Sequence, residues 1–276
     1  MEGGILRQSG KAVKGEGGSA RSGGGVRARQ AGGRRPNGAR KPARSGLFIT
    51  LEGGEGAGKS TQIHRLAKYL KERGRPVVVT REPGGSPGAE AVRHVLLSGA
   101  AELHGPEMEA ILFNAARADH IDTVIRPAIA AGKAVICDRF YDSTRVYQGV
   151  EGKLDAVFVR RLEAIAVGET IPDLTLILDL DAKEGMRRAA ARRNPDEAPD
   201  RFEKESVRQQ ELRRKAYLEI ARNEPERCAV IDADGTAEAV FEEIRRAVDE
   251  RLGDRLKPAA RSRAGRAKPA GRGART

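Results

Sequence analysis

The stretch LFITLEGGEGAGKST, residues 47–61, carries five residues of strand character into a glycine-rich turn, then into Lys-Ser-Thr and the start of a helical pattern. Residues Gly53 to Ser60 match G-x-x-x-x-G-K-[ST] in its strand–turn–helix context. Glycines let the main chain wrap closely around phosphate oxygens and turn successive N–H groups inward. A helix beginning near Lys59 adds its positive end. Gly53, Gly54, Glu55, Gly56, Ala57, Gly58, Lys59, Ser60 and Thr61 are therefore the expected ATP-binding set. Lys59 is expected to reach the β- and γ-phosphates, and Ser60 to ligate Mg²⁺.

Outward from this loop, short apolar runs alternate with amphipathic ones. Residues 47–52, 76–80, 133–138, 174–180 and 228–232 read as near-continuous apolar strands, the pattern of a parallel sheet covered on both faces. Residues 60–73, 107–131, 202–222 and 236–252 read as helices. The expected fold is a three-layer α/β domain, residues 46–254, with a five-stranded parallel sheet flanked by helices. One segment, 187–206, is arginine-dense and broken by Pro195 and Pro199, and reads as a mobile lid over a polyanion.

Asp138 closes the third apolar run. A carboxylate at the carboxyl end of a buried parallel strand faces the ligand crevice of an open α/β sheet, where it binds Mg²⁺ directly or through water. Its bland alternative is an ordinary cap on the following turn.

The net charge of +12 invites a nucleic-acid reading. It resides in the ends: residues 1–45 hold Lys and Arg against only Glu2 and Glu16, and residues 255–276 hold no acid. The middle is mildly acidic. Both ends are Gly/Ala/Arg-rich and too poor in large apolar groups to offset their ordering entropy, so they read as disordered basic tails. Weak nucleic-acid contact through counterion release is their strongest alternative to simple solubilisation, and an organellar transit peptide is a weaker one for the first tail. No apolar run approaches a membrane span. Cys137 and Cys228 have no metal-ligand spacing and suggest a reduced, cytoplasmic setting.

GTPase chemistry is set aside because no asparagine is followed by lysine, as a guanine-reading N-K-x-D needs. The combination of EGGEGAGKST (52–61), TREPGG (80–85), FNAAR (113–117), DRF (138–140), STRVYQG (143–149) and PDLT (172–175) resembles the thymidylate kinase family, in order, over about residues 46–252. The resemblance implies phosphorylation of dTMP to dTDP by ATP with Mg²⁺, and a homodimer through the 107–131 helix and its neighbours. On spacing alone Phe113 reads as a core aromatic; the resemblance puts it flat on the thymine ring, with Arg117 one turn on reaching O4. It also puts Thr144 at N3–H, Tyr147 beside the deoxyribose, and Ser143 and Gln148 around the sugar or behind it. Arg81 and Arg139 would hold the acceptor phosphate with planar guanidinium forks. Glu82-Pro83 is a candidate cis peptide. Glu52 and Glu55 would serve as Mg²⁺–water ligands or as partners orienting an arginine.

The loop itself holds no arginine. The resemblance therefore points to the subtype whose catalytic arginine comes from the lid, with Arg192 or Arg193 as the charge-stabilising group. The acceptor is a phosphate dianion and needs no general base. Competing readings are a kinase for another acceptor and a nucleotide-dependent nucleic-acid binder working through its tails.

Overall fold

The structure, a computed structural model, describes residues 46–192 and 206–256. The tail readings for 1–45 and 257–276, and the central part of the segment read as a lid, lie outside the described residues.

Five strands form one parallel sheet among the described residues: β1 (Leu47–Gly53), β2 (Val77–Arg81), β3 (Ala134–Asp138), β4 (Leu174–Asp179) and β5 (Cys228–Asp232), in the order β2-β3-β1-β4-β5. All four pairings are parallel, with Leu51 opposite Asp138 and Arg81 opposite Asp138 on its other side. The connections leaving the neighbouring strands β1 and β3 run in opposite directions across the sheet, so the crevice lies beyond their carboxyl ends, where ligands of such sheets bind.

Helix α1 (Lys59–Glu72) follows the glycine loop, and α2 (Pro87–Leu97) follows β2. The run read as one helix over 107–131 is α3 (Gly105–His120), a wider π-turn at Ile121–Ile125 and α4 (Arg126–Ala130). Pro127 lacks the N–H that a continuous α ladder would take from it. After β3 come a short α5 (Tyr141–Thr144), a second π-turn at Arg145–Glu151, and α6 (Ala156–Val167). Helix α7 (Ala182–Arg192) follows β4, so the arginine-dense segment begins inside a regular helix rather than a loop. Helices α8 (Val207–Asn223) and α9 (Ala237–Leu256) complete the described residues; α9 runs two residues past the expected end of the domain, and its Arg255 pairs with Asp173. Helices α2, α6 and α7 were not read from the sequence.

Core clusters cover both sheet faces, a smaller one packing Ile177 and Cys228 against Val146 and Tyr217. Of the two larger, one packs Leu47, Ile49 and Leu51 against Leu66 and Leu70 of α1 and Ile244 and Val248 of α9. The other packs Phe48, Val135 and Cys137 against Ile121, Ile125 and Ile129. Every residue of β1 is buried, so its apolar run is explained by cover on both sides.

Candidate active site

The glycine loop leaves β1 through Gly53 at φ 139°, turns at Gly56 (φ 72°) and enters α1 through Gly58 (φ 86°). Those angles are ones that glycine adopts far more readily than other residues, which accounts for glycine at the three positions. Lys59 is buried, and its Nζ donates to Gly53 O at 3.1 Å and Gly54 O at 3.0 Å. Burial lowers its pKa first, the nearby Arg139 adds to this, and the carboxylates of Glu55, Asp138 and Glu52 oppose it. Ser60 is exposed at the start of α1.

Arg139 leaves β3 with φ 64°. Its Nη2 donates to Glu55 Oε1 at 2.7 Å, and Nη1 donates to Gly53 O at 3.2 Å, Ser143 Oγ at 3.3 Å and Tyr217 Oη at 3.2 Å. Burial alone would raise the Glu55 carboxyl, but the Arg139 and Lys59 cations outweigh it and bring the pKa to about 2. Beneath them lies Glu52, fully buried. It accepts from Phe140 N at 2.7 Å, Ser143 Oγ at 2.7 Å and Tyr217 Oη at 3.1 Å. Burial, with the charge of Asp142 adding, raises its pKa to about 7. Both acids thus sit as partners of the arginine network.

A cavity opens beside Arg139. Its walls include Phe113, Arg117, Thr144, Tyr147 and Gln148, together with Ser143, Glu55 and Pro83. Arg117 is buried and tightly held: Nε donates to Glu82 Oε2 at 2.8 Å, Nη1 to Asn114 Oδ1 at 3.1 Å, and Nη2 to Thr144 Oγ1 at 3.0 Å and Phe140 O at 3.3 Å. Glu82 also faces His120 Nδ1 at 3.1 Å, and the Glu82–Pro83 bond is cis. Gln148 Nε2 donates to Glu109 Oε2 at 3.3 Å. The guanidinium of Arg213 lies 4.0 Å from the centroid of the Tyr147 ring.

Arg81 is not part of that wall. It lines a second cavity with Ser60, Thr80 and Asp138, and its guanidinium donates to Glu90 Oε1 at 3.0 Å, so the expected Arg81–Arg139 pairing across one pocket is not the arrangement seen. The cause is local: Glu90, on the first turn of α2, also accepts from Gly85 N and offers Arg81 an exposed partner. In this second cavity Asp138 Oδ1 is buried with no hydrogen-bond partner among the described residues. Arg192 ends α7, and Arg193 lies outside the described residues.

Sequence reasoning missed Tyr217, Arg213, His120, the fully buried Asp142 and the side-chain role of Glu82. Asp142 accepts from both Nη atoms of Arg227, at 2.7 and 2.9 Å, and so pins α5 to the start of β5. One signal existed. The buried positions of α8 include Gln210, Arg213 and Tyr217, a helical stripe facing inward that is half polar.

Comparison with known proteins gives one answer. A family model described as Thymidylate kinase matches residues 51–244. The thymidylate kinase of Caulobacter vibrioides is 55% identical over 208 residues, spanning 75% of this chain and 98% of its own. That of Afipia carboxidovorans is 52% identical over 222 residues, 80% of this chain and 96% of its own. A crystal structure of thymidylate kinase from Ehrlichia chaffeensis aligns with a TM-score of 0.58 and 32% identity, covering 74% of this chain and 98% of that one. With the phosphate loop, the arginine network and the aromatic-walled cavity at one end of the sheet, these matches show that the chain belongs to the thymidylate kinase family.

Proposed function

We propose that this protein transfers the terminal phosphoryl group of ATP to dTMP, giving dTDP and ADP. The observation that carries the reading is the Arg139–Glu55 contact, which ties the phosphate loop to the aromatic-walled cavity. A donor held by the loop and an acceptor held by Arg139 would then meet end to end.

The acceptor phosphate is a dianion near neutral pH and is nucleophilic without a base, so the residues' work is positioning and charge neutralisation. Arg139 grips the acceptor phosphate, Lys59 holds the donor, and Arg192 or Arg193 supplies positive charge to the group in flight. Phe113 stacks on the base, while Arg117 and Thr144 read its edge. Arg117 uses four of its five N–H groups on the partners named above, which leaves one for a base oxygen. Tyr147 flanks the sugar.

No cluster of three or more His, Cys, Asp or Glu among the described residues forms a metal cage. Asp138 lines the same cavity as Ser60, and its Oδ1 has no hydrogen-bond partner among the described residues, which fits Mg²⁺ carried in on the nucleotide with its own waters. Bound there, the ion would neutralise charge on the β- and γ-phosphate oxygens. Neither Glu52 nor Glu55 lines that cavity, and in this reading both act by orienting Arg139 and its neighbours.

A homodimer through α3 and its neighbours completes the reading; Met108 and Ile111, exposed on α3, support it. Among the described residues no helix is long and apolar enough to cross a membrane. Two unpaired buried cysteines support a cytoplasmic setting.

The test is a coupled assay of the full chain with dTMP, thymidine, UMP and AMP. The expected result is clear preference for dTMP. Faster turnover of any other acceptor would overturn the assignment.

A further inference from the structure

Helix α7 begins just after β4, and Asp181 caps it by accepting from Lys183 N at 2.9 Å and Glu184 N at 3.2 Å. Gly185 lies in its first turn. A methyl group built on Gly56 would fall 1.9 Å from Gly185 O, and one built on Gly185 would fall 2.6 Å from Glu55 O. The two main chains therefore touch with no room for a side chain on either. Both obstacles are carbonyl oxygens, which cannot swing aside as a side chain can. Gly253, in α9, has open space at the same position. A helix-interior glycine costs roughly 1 kcal/mol relative to alanine, so a packing reason is called for at Gly185.

The residue Gly185 touches carries chemistry. The Glu55 carboxylate holds Arg139 at 2.7 Å, and the Glu55–Gly56 peptide forms part of the phosphate-binding turn. We propose that Gly185 is a positioning residue for the phosphate loop: its main chain is the rear wall that fixes the Glu55–Gly56 peptide, and through it both the inward aim of the loop's amides and the grip of Glu55 on Arg139. The proposal deepens the function given above and rests on it only for the identity of the donor as ATP.

The experiment compares Gly185→Ala with Gly253→Ala in the full chain, measuring ATP and dTMP binding separately by calorimetry, without turnover. Gly185→Ala is expected to raise the ATP dissociation constant by about tenfold or more, a loss larger than that for dTMP, while Gly253→Ala leaves both unchanged. ATP binding by Gly185→Ala at the wild-type level overturns the proposal. Should Gly185→Ala lack a cooperative thermal transition, Asp181→Ala decides. It frays the turn bearing Gly185 at an exposed site, and ATP should bind about threefold more weakly. Removing a negative charge near a polyanion would by itself tighten binding, so unchanged or tighter binding by Asp181→Ala sinks the idea. Failure of wild-type dTMP turnover would instead sink the proposed function and leave this binding comparison standing.

Discussion

Arg139 and Glu55 meet at 2.7 Å, one from the exit of β3 and the other from inside the phosphate loop. Negative charge beside a triphosphate is costly unless a cation holds it, and a pKa of about 2 keeps Glu55 ionised through the whole working pH range. The pair's role is to aim the guanidinium. Glu55→Gln should therefore lower kcat for dTMP by about tenfold or more while changing dTMP affinity less, measured by steady-state kinetics and calorimetry. Unaltered kcat would show that Arg139 needs no such partner.

Tyr217 hydroxyl joins Glu52, Ser143 and Arg139 from α8. Tyr217→Phe keeps the ring and removes that hydroxyl, leaving a buried carboxylate one donor short. Stability should fall by about 1–2 kcal/mol in urea titrations, and kcat/KM for dTMP should fall several-fold.

Glu52 gives a pH signature. Its carboxyl is raised from 4.5 to about 7, by burial first and by Asp142 second. A raised carboxyl means that the fold favours the protonated form. The contribution is complete below pH 4.5 and is lost as pH rises through 7. The stability of the wild type minus that of Glu52→Gln should thus decline between pH 4.5 and about 8, by on the order of 1 kcal/mol or more. A flat difference across that range would contradict the assignment.

Asp142 has no exposure and is gripped by both ends of the Arg227 fork. Asp142→Ala removes one of the two carboxylates that hold Arg227, leaving Glu224 Oε2 at 2.8 Å. The expected loss is about 1.5–3 kcal/mol in chemical denaturation, with weaker dTMP binding because α5 carries Thr144. A loss near zero would mean that water replaces the carboxylate.

The sheet was legible because its five strands are fully or largely apolar runs, and Gly53, Gly56 and Gly58 each occupy an angle that only glycine takes readily. The walls of the cavity were legible only through family resemblance, since Phe113 and Thr144 have no distinctive spacing of their own. Arg81 pairs with Glu90, nine residues on, because folding brings the start of α2 beside the end of β2. Such pairings depend on which loop packs on which helix, and periodicity does not encode that. The same holds for Arg213 over Tyr147 and for Gly185 behind Gly56, contacts between segments far apart in the chain.

The backbone angle at Arg139 reaches beyond that residue. Asp138 and Arg139 are consecutive, yet one lines the cavity with Ser60 and the other lines the cavity with Phe113. A single left-handed step makes the dipeptide a watershed, sending an anion to one basin and a cation to the neighbouring one. Reversing the two letters would preserve composition and charge while delivering each side chain to the wrong side.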